Sequence, residues 1–309
     1  MTSTPSAMPR SGLGARVALA FVRAGFVVGG RLMPRSTAAR AARLFATPFA
    51  SSRTRARAER GDDAMRRIDL PVRGETIAAY VWGDPATQPY ALMSHGWSSF
   101  GLRFLPWAQA LRARGYAVVA FDQPGHGHSS GRYATLPDFI ETVRAVGQHF
   151  GPADLAVGHS LGAAALAMAQ GPDWRAARLV LVAPPVDMRA AMGRFFRLVR
   201  VGEHLRAPFE GWLQRHTGVS IDALDLRRHL PSLGQPVLVV HDLDDPDVPW
   251  AEGERYAVCL GDARLLTTES LGHRRVLGEP AVIEAAMSFL GGEPVGERVV
   301  GSGELARML

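Results

Sequence analysis

The chain of 309 residues contains no lysine; all 35 of its basic residues are arginines. The base composition of a GC-rich gene explains that choice more simply than any mechanism does. Cysteine is almost as scarce. Cys259 stands alone, which excludes an internal disulfide and a cysteine-based metal site and gives no sign of an oxidising compartment. Its setting, YAVCL, reads as a small core hydrophobe on a helix. The sequence also lacks an internal repeat, a low-complexity tract and a long uninterrupted apolar run. The longest candidate, Val17 to Val28, is broken by Arg23, too short and too charged for a spanning helix. No small-residue cleavage site of the secretory type follows closely behind it. Negative charge is missing from the first part of the chain. Residues 1–60 carry eleven arginines against Glu59, a net +10, and the remainder carries twenty-four arginines against twenty-eight acids, a net −4. The high isoelectric point therefore belongs to the N-terminal segment, and the rest is not expected to bind nucleic acid.

What is present is enough apolar sequence, 47% of the chain, for one sizeable α/β core or two small domains. Residues 1–64 read as a basic helical arm and linker. The favoured reading packs this arm on the protein's own surface, with Leu19, Phe26 and Val27 buried against the main core. The alternatives are a peripheral helix on anionic lipid and a targeting peptide. A second helix is expected from about Thr37 to Ala46, ending before Pro48, and residues 50–60, rich in Ser and Arg, read as a linker.

From Met65 the pattern changes. Arg66–Leu70 and Glu75–Trp82 alternate in polarity around Pro71–Gly74 and predict an antiparallel pair. Short apolar strands then alternate with helical stretches: Tyr90–Met93, Ala117–Phe121, Leu155–Val157, Leu179–Ala183, Val237–His241 and Arg264–Thr267, with helices expected over about Arg103–Arg114, Leu136–Phe150 and Leu161–Gln170. That alternation predicts an α/β fold, a mostly parallel sheet with helices on both faces. Residues 184–232 break the rhythm with helical pieces only, and read as a lid inserted over the carboxyl ends of the strands. In it, Met188, Met192, Phe195, Phe196 and Leu198 stand beside Arg189, Arg194, Arg197 and Arg200 at a spacing that makes one apolar and one basic face. Met192, Phe195 and Phe196 are the candidate contacts for an acyl chain. Residues 292–309 read as a tail.

The chemistry-bearing residues sit where strands end. Gly158-His159-Ser160-Leu161-Gly162 matches G-x-S-x-G between an apolar strand and an alanine-rich helix, the context this motif requires. Serine is a poor nucleophile unless its hydroxyl is held away from the backbone towards a base. A strained strand-to-helix turn does that, and the helix presents its N-terminal amides to a developing oxyanion. Leu161 N–H is one candidate donor and Trp97 N–H, in His95-Gly96-Trp97 after an earlier strand, the second. The loop Asp122–Ser129 contains His126 and His128 in H-x-H spacing, but no acidic cluster with metal-ligand spacing accompanies it, and it reads as a tight turn at the floor of the site. Four aspartates, Asp242, Asp244, Asp245 and Asp247, follow the strand Val237–His241. Asp245 is the chosen acid, Asp244 its main rival and Asp187 a further possibility. His273, after the final strand, is the candidate base. The chain order Ser160, Asp245, His273 is that of one hydrolase architecture and differs from the chymotrypsin and subtilisin orders.

GHSLG, HGW, DQPGHGHS, DLDDPDVP and SLGHRR, in this order, resemble the α/β-hydrolase superfamily, and most closely its bacterial serine esterases and lipases, over about residues 65–291. The resemblance implies Ser160 as nucleophile, Asp245 as acid, His273 as base and the amides of Trp97 and Leu161 as oxyanion donors. It departs where such families often carry glycine three residues before the acid, since Asp242 stands there. Serine at the elbow argues against dehalogenases and epoxide hydrolases, which would carry aspartate. The expectation is hydrolysis of a small-molecule carboxylic ester through an acyl-enzyme, without metal or cofactor. Thioester cleavage or acyl transfer on the same residues, and a catalytically idle binding protein, are the alternatives. The expected location is the cytoplasm, with the membrane periphery as the variant the arm would allow.

Overall fold

The structure, a computed structural model, describes residues 13–299. Residues 1–12 of the expected arm and 300–309 of the expected tail lie outside the described residues. Three helices come first: α1 (Leu13–Leu32), α2 (Pro34–Ala46) and α3 (Ala50–Ala58). There follow β1 (Met65–Val72), β2 (Glu75–Trp82), β3 (Tyr90–Ser94), α4 (Leu105–Arg112), β4 (Ala117–Phe121), α5 (Leu136–Phe150), β5 (Leu155–His159), α6 (Leu161–Ala169) and β6 (Leu179–Val182). Helices α7 (Met188–Val199), α8 (Arg206–Thr217) and the one-turn α9 (Leu226–His229) lie between β6 and β7 (Val237–Asp242). Then come α10 (Trp250–Cys259), β8 (Ala263–Thr268), the one-turn α11 (Gly272–Arg275) and α12 (Pro280–Leu290). Each of the eight strand segments expected from sequence is present. The chain forms two compact units, residues 1–45 with 189–221, and residues 46–188 with 222–309.

The larger unit is built on an eight-stranded sheet in the order β1-β2-β4-β3-β5-β6-β7-β8. The pairs β1–β2 and β2–β4 are antiparallel and the other five are parallel. Strands β3 to β7 are buried at every residue, as continuous Val/Leu/Ala runs require when helices cover both faces. Burying one such Val or Leu contributes ~1.5–3 kcal/mol. Helices α4 and α12 close one face: Trp107, Ala108 and Leu111 with Val282, Ala286 and Met287 pack on Met93, Val118, Val157 and Leu238. Helix α5 starts in a capping box, Thr135 with Asp138, with proline in its first turn, and stops at Gly151 in the left-handed region (φ 90°); both ends follow from local residue chemistry.

In this unit residues 50–60 depart from the expected linker. Residues 50–58 are helical, and Arg53 of α3 spends its guanidinium on three loop carbonyls, Gly125 O at 2.9 Å, Ser129 O at 3.0 Å and Gly131 O at 2.9 Å. The acceptors come from another part of the chain, so nothing in ASSRTRARA itself announces the helix. The division between units falls after Phe45 and not near residue 64. Of the expected tail, Glu297 pairs with Leu265 at the edge of β8. Cys259 is only half-buried, short of the core position expected for it.

The smaller unit joins the N-terminal helices to the insertion after β6. Phe26 of α1 and Ala38, Ala41 and Ala42 of α2 pack with Met192, Phe196, Val199, Val201, Leu205 and Phe209. The alanines recur at helical spacing and let backbones approach. Phe45 sits edge-on to Phe195 and Phe209, with ring centres 5.1 and 5.6 Å apart. Arg23 Nε donates to Leu198 O at 2.8 Å, and His204 Nε2 donates to Gly30 O at 3.1 Å. Two sequence expectations change here. Phe26 is buried in a cluster shared with the insertion, while Leu19 is half-buried and Val27 is 40% exposed. Met192 and Phe196, expected to contact an acyl chain, are each 1% exposed inside this cluster, and Phe195 packs on its phenylalanines. The apolar face of α7 is therefore used to hold the arm.

Candidate functional site

Register brings the chemistry to one edge of the sheet. Ser94 pairs with both Phe121 and Gly158, His159 with Val182, and Asp242 with Thr268. The loops leaving β3, β5, β7 and β8 therefore start at the same level, at the carboxyl ends of parallel strands. Ser160 follows β5 with φ 53° and ψ −125°, a conformation costly for a residue with a side chain. The turn is over-determined by its neighbours. Ser160 N–H donates to Val182 O at 2.8 Å, and Ser160 O accepts from Ala163 N and Ala164 N. A Cβ on Gly158 would lie 2.5 Å from Ala163 Cα, and one on Gly162 2.3 Å from the carbonyls of Ser94 and His95. Both glycines are thus required by close approach of backbone.

Ser160 Oγ lies 2.9 Å from His273 Nε2, and His273 Nδ1 lies 2.7 Å from Asp245 Oδ2. The hydrogen-bond pattern places the imidazole proton on Nδ1, which donates to the carboxylate, and leaves Nε2 to accept from the serine hydroxyl. Asp245 is selected from its neighbours by geometry. Its Oδ1 accepts from Asp247 N at 2.8 Å and Val248 N at 2.9 Å, which turns Oδ2 towards the ring. Asp244 is turned instead to Ser270 N–H, at 3.0 Å. Near Asp187, the Glu252 carboxylate accepts from the backbone amides of Val186 and Asp187. Burial by itself would raise the Asp245 carboxyl. The hydrogen bonds from His241 and His273 outweigh it and hold the group well below the usual carboxylate range.

Asp242, the departure from the glycine of similar sequences, proves to be a hub. Its Oδ2 accepts from Thr268 Oγ1 at 2.8 Å and Leu271 N at 3.1 Å, and its Oδ1 from Gly272 N at 2.9 Å and Asp244 N at 3.1 Å. Two of these donors are the residues immediately before His273. Burial works against its ionised form, but the hydrogen bonds from Thr268, Gly272, Leu271 and Asp244 lower its pKa on balance. His159 is buried, and its Nε2–H donates to His273 O at 2.7 Å. Burial, and then the nearby His273, push its pKa down to about 3, so it stays neutral.

Leu161 directly follows the serine and Trp97 follows Gly96 in the neighbouring loop, and among the described residues neither amide N–H has a backbone carbonyl acceptor. The Trp97 loop is held by histidines. His95 Nδ1–H donates to Gly96 O at 2.7 Å while its Nε2 accepts from Gln123 N. His126 Nδ1–H donates to Pro124 O while its Nε2 accepts from Ser98 N at 3.0 Å. Both rings are buried, and burial lowers both pKa values. Asp122 below them accepts from Gly101 N at 2.7 Å, His128 N at 2.7 Å and Tyr80 Oη–H at 2.6 Å. A Cβ on Gly96 would approach Ser160 Cβ to 2.8 Å, so this loop and the elbow touch. At the start of α3, the N-cap residue Phe49 donates its N–H to Ser98 Oγ at 2.9 Å, and from within the helix Arg55 donates to Ser98 O at 3.3 Å. Asp242, His159, His126 and Arg53 were not singled out as site residues by sequence. Asp242 carried a signal in its unexpected place in the motif, and His126 in the H-x-H loop expected at the floor of the site.

A model of the alpha/beta hydrolase family matches residues 91–286. The chain belongs to that family. The hydrolase is 28% identical over 250 residues to a pimeloyl-[acyl-carrier protein] methyl ester esterase of Xanthomonas campestris pv. campestris, an alignment covering 67% of this chain and 96% of the relative. Among solved structures it resembles a thermophilic esterase from Thermogutta terrifontis, with TM-score 0.56 and 18% identity, over 74% of this chain and 98% of the other. It also resembles a bacterial membrane phospholipase A, with TM-score 0.56 and 19% identity, over 92% of this chain and 99% of the other. At these identities the structural likenesses establish the fold. Among the described residues no helix is long and apolar enough to cross a membrane.

Proposed function

We propose that this hydrolase cleaves carboxylic esters through a covalent acyl-enzyme formed on Ser160. The observation that carries the reading is the unbroken relay Ser160 Oγ, His273, Asp245, at 2.9 and 2.7 Å. As Ser160 Oγ attacks the carbonyl carbon, His273 Nε2 takes its proton, and Asp245 stabilises the resulting imidazolium without accepting a proton itself. The oxyanion is met by the amides of Trp97 and Leu161, the latter at the positive end of α6. The tetrahedral intermediate collapses as His273 returns the proton to the departing alkoxide. Water, deprotonated by the same nitrogen, then releases the acid. Neutral His159 supports this cycle, because a charged imidazolium beside His273 would oppose its protonation. Esterases among the relatives favour an ester over other acyl compounds.

Ser160→Ala should leave a folded protein whose turnover of an activated ester falls by ~10³-fold or more. A fluorophosphonate should label the wild type at Ser160, located by peptide mass spectrometry, and leave the variant unlabelled. Near-normal turnover by the variant would remove Ser160 as nucleophile. Absence of labelling in the wild type, together with no turnover of any oxygen ester or thioester, would favour the idle-binding alternative.

A further inference from the structure

Helix α1 is apolar nearly all the way round, but the protein covers only one side of it. Its inward stripe is Leu19, Val22, Phe26 and Gly30, at spacings of three and four, and of these Phe26 and Gly30 are buried. The opposite stripe, Val17, Phe21, Val28 and Leu32, also follows helical spacing and is open: the four side chains are 46, 75, 56 and 73% exposed. Met33, at the end of the helix, is 62% exposed and Val27 40%. An apolar strip along a helix ~30 Å long is uncommon on a free surface and marks a contact.

The charge around it selects the partner. The unit formed by residues 1–45 and 189–221 holds thirteen arginines and two carboxylates, Glu203 and Glu210, a net +11; the sheet unit holds twenty-two arginines and twenty-seven carboxylates, a net −5. Residues 1–58 contain no acid at all. Both carboxylates of the basic unit are engaged with arginines, Glu203 with Arg206 at 2.7 Å and Glu210 with Arg189 at 3.7 Å. Arg16, Arg31, Arg35 and Arg40 are exposed. Arg16 and Arg31 fall on one flank of α1, between its covered and open stripes. Apolar residues on the outward side with arginines at the flank form the pattern of a helix lying in the interface of a bilayer. Arginine forks suit lipid phosphates.

We infer that the smaller unit docks on anionic lipid bilayers. Helix α1 lies in the headgroup region, Val17, Phe21, Val28 and Leu32 enter the acyl boundary, and the arginines meet the phosphates. The inference stands independently of the chemistry proposed for Ser160. It follows that binding needs both terms, apolar insertion and charge, and weakens as salt screens the second.

The test uses the full chain with extruded vesicles of phosphatidylcholine alone or with about one third phosphatidylglycerol, scored by sedimentation at low and high salt. The wild type should bind the anionic vesicles, lose at least ~10-fold in partition coefficient on the neutral ones, and weaken as salt rises. Phe21→Ser and Leu32→Ser should each cost ~10-fold or more, as expected for a large apolar side chain left in water. Arg31→Glu with Arg35→Glu should abolish the preference for phosphatidylglycerol. Melting temperature and turnover of a soluble ester should stay as in the wild type, since these side chains are exposed. Absence of wild-type binding at low salt, or binding indifferent to Phe21→Ser and Leu32→Ser, overturns the inference. So does a dimer in light scattering that the same substitutions dissociate, which would assign the stripe to a second copy of the chain.

Discussion

Replacing Asp242 by asparagine changes one oxygen to an amide and leaves the volume unchanged, yet the geometry predicts a large effect on turnover. The carboxylate accepts four hydrogen bonds, two on each oxygen, from Thr268 Oγ1, Leu271 N, Gly272 N and Asp244 N. An asparagine offers one acceptor oxygen. Whichever way the amide is turned, two of the four donors lose their acceptor and face an NH₂ group. A hydrogen bond to a charged group is worth ~1.5–3 kcal/mol, so losing two costs ~3–6 kcal/mol if the loop stays in place. The cheaper response is for residues 270–273 to shift. His273 is the next residue after two of the donors, and its two side-chain bonds, at 2.9 and 2.7 Å, tolerate little movement. A displacement of ~1 Å from productive geometry costs ~10²-fold in rate. Asp242→Asn is therefore expected to lower kcat on an activated ester by ~10²-fold while KM changes little. Asp244→Asn should do much less, because that side chain holds only Ser270 N–H at this loop. Urea unfolding of both variants separates a shifted loop from a globally unstable fold. Wild-type kcat in Asp242→Asn, or equal losses in the two variants, would refute the claim that this carboxylate positions the histidine.

Gly96→Ala should reduce kcat/KM by ~10²-fold with little change in substrate affinity, since its Cβ would press on Ser160 Cβ at 2.8 Å and His159 O at 3.0 Å; steady-state kinetics checks this. Phe196→Ala should destabilise the smaller unit by ~3–5 kcal/mol, seen as faster amide exchange in α1 and α2, with the amides of the sheet still protected. The pH dependence of stability follows from His159, whose folded pKa of about 3 lies below the unfolded value of ~6.5. A lowered histidine binds fewer protons when folded, so its contribution is complete above ~6.5 and is lost towards pH 3, by ~1.4 kcal/mol per pH unit. His159→Gln, able to keep the donation to His273 O, should flatten that decline, as read from urea midpoints at pH 7.5 and 5.

How far the structure could be read from sequence depended on whether a residue's partner lay nearby in the chain. Strands β3 to β7 are covered on both faces, so their apolar runs needed no knowledge of neighbours. The elbow was legible because Gly158, Ser160 and Gly162 stand within five residues between an apolar strand and a helix, although the carbonyls that require Gly162, those of Ser94 and His95, lie far away in the chain. Choosing among the four aspartates was harder, since it depends on which carboxylate is turned by Asp247 N and Val248 N, a matter of loop geometry. Arg53 was invisible as a clamp because its three acceptors lie more than seventy residues away. The same reason explains the misplaced role of α7. Its apolar stripe, Met192, Phe195, Phe196 and Val199, announced a buried face but could not say what would cover it. The pairing with Phe26, Ala38 and Ala42 spans 150 residues or more, and no local pattern encodes it. Charge shows the consequence. Divided at residue 60 the chain reads +10 and −4, as though the basic arm were an appendage. Divided by the units that fold together it reads +11 and −5, because Arg53, Arg55, Arg57 and Arg60 fall in the sheet unit while the insertion brings six arginines of its own. The segregation of charge is therefore a property of the assembled arm and insertion, which gives a membrane-facing role a folded unit to reside in.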